Sequence, residues 1–199
     1  MNSKNPNHPK KGDTIKVEPI TELKDIKLIK KLLKDKPRDY CLFAMGINTN
    51  LRASDLIRIT AGDVRGKKPG DHITIKEKKT GKERRVTLNE AVISAVKELL
   101  AYQPYLDTDP LFKSKKGVKA LSIPSVNRLV KGWCREINLK GNYGSHTLRK
   151  TFGYMQRTLL NTSVAELMVM FNHSSQKQTL DYLCIQPEEI KNAYMQLNL

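Results

Sequence analysis

The chain has 199 residues, 39% hydrophobic and 28% charged, enough for one good core and too few for a second sizeable domain. Its 36 Lys and Arg against 20 Asp and Glu leave a net charge of +16, so polyanions, nucleic acid ahead of an acidic membrane, are the expected partners. No apolar run approaches the ~18–20 residues of a membrane span and the polar N-terminus is no signal peptide, which predicts a cytoplasmic protein with no membrane partner.

Residues 1–20 are polar and basic, carry Pro6, Pro9 and Pro19, and lack periodicity. They read as a flexible or loosely docked arm whose Lys4, Lys10, Lys11 and Lys16 either touch a phosphate backbone or only solubilise the chain. From Thr21 the pattern is helical: Leu23, Ile26, Leu28, Ile29, Leu32 and Leu33 form a stripe, with Lys24, Lys27, Lys30, Lys31 and Lys34 as a solvated face. Pro37 is expected to end this helix, and a more buried one to run from Asp39 through Ile47. A short helix from Ser54 should stop near Gly62.

Two alternating stretches, His72 to Glu77 and Arg84 to Leu88, flank Lys79-Thr80-Gly81-Lys82 and predict a β-hairpin. A further short strand at residues 63–65 is expected to make the sheet three-stranded and antiparallel. Asn89 should cap a helix carrying Val92, Ile93, Val96, Leu99 and Leu100. After a loop over residues 102–121, anchored by Leu111 and Phe112, Ser122 opens a helix through Val126, Leu129, Val130, Trp133 and Ile137. Gly141 to Gly144 break it, and His146 starts another helix to about Leu160. Ser163 and Glu166 make a capping box, Tyr182 lies on or beside the next short helix, and Pro187 with Glu188 and Glu189 opens the last. The class is mainly α (α+β) with one small sheet. Cys41, Cys134 and Cys184 share no metal-ligand spacing and read as reduced, mostly buried packing residues.

The chemistry-bearing residues lie in four places. His173 is followed by Ser174 and Ser175 and, nine residues after the histidine, by Tyr182. Upstream stand His146-Thr147-Leu148-Arg149, the hairpin tip around Lys79, and Asn50-Leu51-Arg52-Ala53-Ser54-Asp55. A tyrosine hydroxyl, with a pKa near ~10, is a poor nucleophile unless neighbours take its proton and stabilise the product. Arginines neutralise non-bridging phosphate oxygens with a permanently charged fork. Histidine can accept or donate a proton near neutral pH, and a lysine can protonate a leaving 5′ oxygen. Lys79 suits that last role, although spacing alone does not separate it from Lys76, Lys78 and Lys82. Any one of these arginines is ordinarily just solvated; the set is what carries meaning. No carboxylates cluster as in two-metal nucleases, so phosphoryl transfer with no metal and no cofactor is the expectation.

The order of Arg52 and Asp55, Lys79-Thr80-Gly81, His146-Thr147-Leu148-Arg149, His173-Ser174-Ser175 and Tyr182 resembles the catalytic domain of the tyrosine recombinases, the phage-integrase family. The resemblance runs from about residue 21 to the end. It implies a helical catalytic domain over residues 21–186 in which Arg52 and Arg149 clamp the scissile phosphate. His146 would act as base or hydrogen-bond donor, His173 would donate to the phosphate, Lys79 would be the general acid, and Tyr182 would form a 3′-phosphotyrosine link. Asp55 would orient Arg52 or its helix. Three positions depart from the family pattern: Asn50 and Asn172 where glycine is common, and Thr87 in place of a frequent proline. Asparagine tolerates the left-handed backbone glycine would supply.

The resemblance also implies site-specific recombination of double-stranded DNA, self-assembly on it, and accessory DNA-bending proteins. The separate N-terminal DNA-clamping domain usual in the family is expected to be absent, through truncation or because this is a short member. Residues 187–199 put Ile190, Ala193, Tyr194 and Leu197 on one helix face, for docking on a neighbouring protomer or folding back on their own domain. The competing readings are a catalytically silent or partner-dependent DNA-binding regulator of the same fold, and a type IB topoisomerase-like relaxase.

Overall fold

The computed structural model describes residues 17–114, 117, 119–185 and 187–198, so the lysines of the expected basic arm lie outside the described residues. Residues 17–20 are not part of a loose arm. Ile20 is buried and its N–H donates to Thr151 Oγ1 at 2.8 Å, while the Glu18 N–H donates to the Asn142 carbonyl at 2.8 Å.

Helix α1 (Leu23–Leu32) buries Ile26 and Ile29 and leaves most of its lysines in solvent, as the stripe requires. Pro37 begins α2 (Pro37–Asn48) rather than ending α1, because its fixed φ suits the first helical position where the missing N–H costs nothing. Cys41 through Gly46 are all buried, so α2 is the central helix. It packs against α5 (Glu90–Tyr102) and α7 (Ser145–Leu160). Gly46 allows this closeness: a Cβ there would meet Leu148 Cδ1 at 2.5 Å. Phe43 meets Trp133 of α6 (Ile123–Glu136) edge-on at 5.9 Å between centroids. Cys41 and Cys134 are buried in this core, and burial pushes the Cys134 thiol up to about 12, so neither is a thiolate near neutral pH.

After α3 (Ala53–Leu56) comes a correction. The strand expected at residues 63–65 does not form; Asp63 and Val64 lie in a one-turn helix, α4 (Ala61–Val64). The reason is local. Thr60 Oγ1 accepts the Asp63 N–H and the Asp63 carboxylate accepts the Thr60 N–H, a capping box that serves orphan donors a strand would leave to a neighbour. Among the described residues the sheet is therefore two-stranded, β1 (His72–Lys76) against β2 (Glu83–Thr87), in register from His72 opposite Thr87 to Lys76 opposite Glu83.

A smaller apolar cluster, Phe152, Leu167, Phe171 and Leu183, is formed where α8 (Val164–Phe171) and α9 (Gln176–Leu183) pack on α7. Tyr182 lies on α9, half-buried against this cluster. Helix α10 (Pro187–Gln196) buries none of its residues; Arg157 and Glu189 tie it to α7 through an ion pair at 2.5 Å. Its apolar positions Ile190 and Tyr194, and Leu197 beyond it, are exposed.

Candidate active site

Arg149 is the centre. It sits one turn into α7, and its side chain is 1% exposed, an unusual place for a guanidinium. Nη1 donates to the Asn50 carbonyl at 2.8 Å and Nη2 to the Phe171 carbonyl at 2.9 Å. Burial, then the charges of Arg52 and Arg84, push its pKa down to about 9, so it is still a cation at neutral pH. The guanidinium carbon lies 4.9 Å from the Phe171 ring centre and 5.4 Å from that of Tyr182. Cationic guanidinium over an aromatic face is a favourable contact.

His173 follows α8 through Asn172, whose φ of 54° is left-handed, and Asn50 takes the same conformation at φ 57°. Both asparagines thus do what glycine does elsewhere. The His173 ring stacks on Phe171 at 5.0 Å and lies 5.3 Å from the Tyr182 ring. Its Nε2 is 3.3 Å from Arg149 Nη2, and its Nδ1 is 3.1 Å from Thr179 Oγ1. Arginine has no acceptor, so Nε2 must accept and Nδ1 must carry the hydrogen that goes to Thr179. This neutral tautomer matches the electrostatics: burial first, then Arg149 and Arg52, push the His173 pKa down to about 4.

Arg52 caps α3 and pairs through Nη1 with Glu77 Oε2 at 2.8 Å. His146, in the first turn of α7, reaches solvent, yet the protein packed about its ring and the charges of Arg149, Lys150, Arg52 and Lys79 lower its pKa. Lys79 is exposed in the hairpin turn. Asp55, fully buried, accepts the Lys78 N–H at 2.9 Å, so it fixes the hairpin onto α3. The six predicted residues differ in how they meet. Arg149, His173 and Tyr182 are in direct contact, Arg52 adds its charge to both Arg149 and His173, and Lys79 acts on His146.

The sequence reading missed Glu77 and Arg84. Glu77 is buried, and Arg84 reaches its Oε1 at 3.6 Å and the carbonyls of Thr49 and Asn50 at 3.2 Å each. Burial acts to raise the Glu77 pKa, but hydrogen bonds from Thr80 and Arg52 and the charges of Arg52 and Arg84 leave it below the ordinary carboxylate value. The signal for both was the period-2 face. Ile73, Ile75 and Glu77 share one side of the first strand, and Arg84, Val86 and Leu88 share one side of the second. Among the described residues no group of three His, Cys, Asp or Glu side chains is placed to hold a metal ion.

A family model described as "Phage integrase family" matches residues 20–189. The chain belongs to the phage integrase family. Among curated relatives of this phage-integrase chain is the probable integrase/recombinase YoeC of Bacillus subtilis (strain 168). It is 36% identical over 181 residues, which cover 89% of this chain and 95% of YoeC. Tyrosine recombinase XerC of Caldanaerobacter subterraneus subsp. tengcongensis is 31% identical over 173 residues, 82% of this chain but only 47% of that relative. The fold is also that of solved tyrosine recombinases. XerH bound to palindromic difH substrate, in a post-cleavage complex, superposes with a TM-score of 0.75 at 21% identity over 94% of this chain and 54% of XerH.

Proposed function

We propose that this chain is a site-specific DNA recombinase that cleaves and rejoins double-stranded DNA through a 3′-phosphotyrosine at Tyr182. The observation that carries the reading is the packing of the Tyr182 ring beside both His173, tilted at 5.3 Å, and the Arg149 guanidinium, at 5.4 Å. Mere DNA binding has no use for a phenol held between a buried cation and a neutral imidazole.

In this reading a phosphate docks on Arg52 and Arg149, which neutralise its non-bridging oxygens. Tyr182 Oη attacks phosphorus, forming the P–O(Tyr) bond as the P–O5′ bond breaks. His146, neutral at neutral pH because its pKa is lowered, takes the phenol proton, and Lys79 gives one to the leaving 5′ oxygen. As the phosphate takes the Arg149 N–H, His173 Nε2 is released. If Thr179 turns its hydroxyl to donate to Nδ1, the imidazole carries its proton on Nε2 and donates to the phosphate without changing charge. The covalent link keeps the bond energy, so the 5′ hydroxyl of another strand can reverse the step without ATP.

Double-stranded DNA is the partner that +16 favours. Further copies of the chain would assemble on the DNA, with the exposed apolar face of α10 as the docking element. In this reading the protein works in the cytoplasm, associated with the nucleoid while on DNA. Two DNA-bound relatives by fold support it: XerH, and a lambda integrase dimer bound to a COC′ core site. The test is a nicked suicide duplex carrying the chain's own recombination site, resolved on a denaturing gel. The native chain is expected to give a covalent adduct that Tyr182→Phe abolishes; an adduct that survives the substitution removes Tyr182 as the nucleophile.

A further inference from the structure

The general acid is the one proposed catalytic group with an exposed side chain on a turn, and a turn alone would place it poorly. Its neighbours on both sides are anchored. Lys78 gives its N–H to the buried Asp55 carboxylate at 2.9 Å, and Thr80 gives its hydroxyl to Glu77 Oε2 at 2.7 Å. That same Oε2 holds Arg52 Nη1 at 2.8 Å, and the other oxygen faces Arg84 at 3.6 Å. Glu77 also closes the turn through its backbone, its N–H donating to the Lys82 carbonyl and its carbonyl accepting the Gly81 N–H, each at 2.9 Å. It is 1% exposed, so this carboxylate is walled in with fixed partners rather than drifting among solvated ones.

We infer that Glu77 is a positioning residue that sets the Lys79 turn and the Arg52 guanidinium relative to each other, so that the acid and the phosphate clamp are placed by one buried carboxylate. Its Thr80 contact serves the acid and its Arg52 contact serves the clamp. The inference rests on the recombinase reading above. The bland alternative is that Glu77 merely neutralises Arg84 and Arg52 for the sake of the fold.

A pair of substrates separates these. In the ordinary duplex the 5′ oxygen leaves only with a proton. In a duplex with sulfur at the bridging 5′ position, the P–S bond breaks to release a thiolate, which needs no proton near neutral pH because thiols ionise near ~8.5. Thr80 is exposed, so Thr80→Val removes its bond to Glu77 and the longer one it accepts from the Lys82 N–H at 3.3 Å, both within the turn that carries Lys79, and leaves the core alone. It is expected to slow adduct formation on the ordinary duplex by roughly 10–100-fold, the scale of a ~1 Å misplacement, while staying within about twofold of the native chain on the sulfur duplex. Lys79→Ala should show the same pattern more strongly. Glu77→Gln should be slow on both duplexes, since Arg52 is needed whichever atom leaves; urea midpoints and DNA affinity are measured alongside.

Thr80→Val equal to the native chain on the ordinary duplex, or equally slow on both, overturns the acid-side placement whether or not Glu77→Gln folds. Glu77→Gln matching the native chain on the sulfur duplex overturns the clamp-side placement. If the native chain gives no adduct on either duplex, the recombinase reading itself fails, which is a different result from any of these.

Discussion

His173 shows what a single residue's surroundings dictate. Its folded pKa of about 4 lies below the ordinary 6.5, so the direction of the linkage is set. Above pH 6.5 neither folded nor unfolded chain protonates it; between 6.5 and about 4 the unfolded chain takes up a proton that the folded one refuses. Stability from this residue is therefore lost as pH falls through that window, and no further loss comes below it. His173→Gln removes the term. Its melting temperature should drop less than the native chain's between about pH 7 and pH 4.5, and an equal drop would show that the ring is not held neutral. The six proposed catalytic residues were legible in the sequence because their order and spacing are visible in one dimension. Glu77 was not: it stands in the same lysine-rich hairpin as Glu83, yet one is buried and the other exposed. Only carrying the strand alternation one residue further separates them.

At the scale of elements, the placing of the helix that carries Tyr182 depends on how closely α7 and α8 approach. A Cβ on Gly153 of α7 would meet Phe171 Cζ at 2.7 Å, and Phe171 is the ring on which His173 stacks and against which Arg149 and Tyr182 pack. Gly153→Ala should shift that ring, and with it Arg149, His173 and Tyr182, and slow adduct formation by about tenfold or more, with DNA affinity falling far less because the rest of the basic surface does not touch the ring. Comparing single-turnover rates with binding titrations checks it; a parallel fall in both would point to general unfolding instead. Helix positions read well from periodicity and capping residues. The missed strand at residues 63–65 has a physical lesson: a Thr-x-x-Asp box satisfies itself within four residues, whereas a third strand needs a partner the local sequence does not reveal.

For the whole molecule the excess of positive charge dominates encounter with DNA. Contacts to six or more phosphates would lower affinity by about 10³-fold between 50 and 200 mM salt. Fluorescence anisotropy of a labelled duplex across that range measures it, and a loss under about tenfold would exclude backbone-dominated binding. The composition made this partner legible, but no one-dimensional pattern told how α10 sits: Glu189 ties it to α7 while Ile190, Tyr194 and Met195 stay exposed. The main core, built on residues 20–148, and the small cluster that carries Tyr182 are packed as two separate apolar groups. Arg149 reaches across them, hydrogen-bonded to Asn50 beside the first and to Phe171 in the second. The guanidinium proposed to grip the phosphate is therefore also a latch between the halves of the molecule. Should the small half come away, His173 and Tyr182 leave with it and the grip loses its partners in the same event. On the proposed reading, a chain whose small half has come away would be disarmed: its charge would still favour DNA, but the groups proposed to cut it would no longer be together.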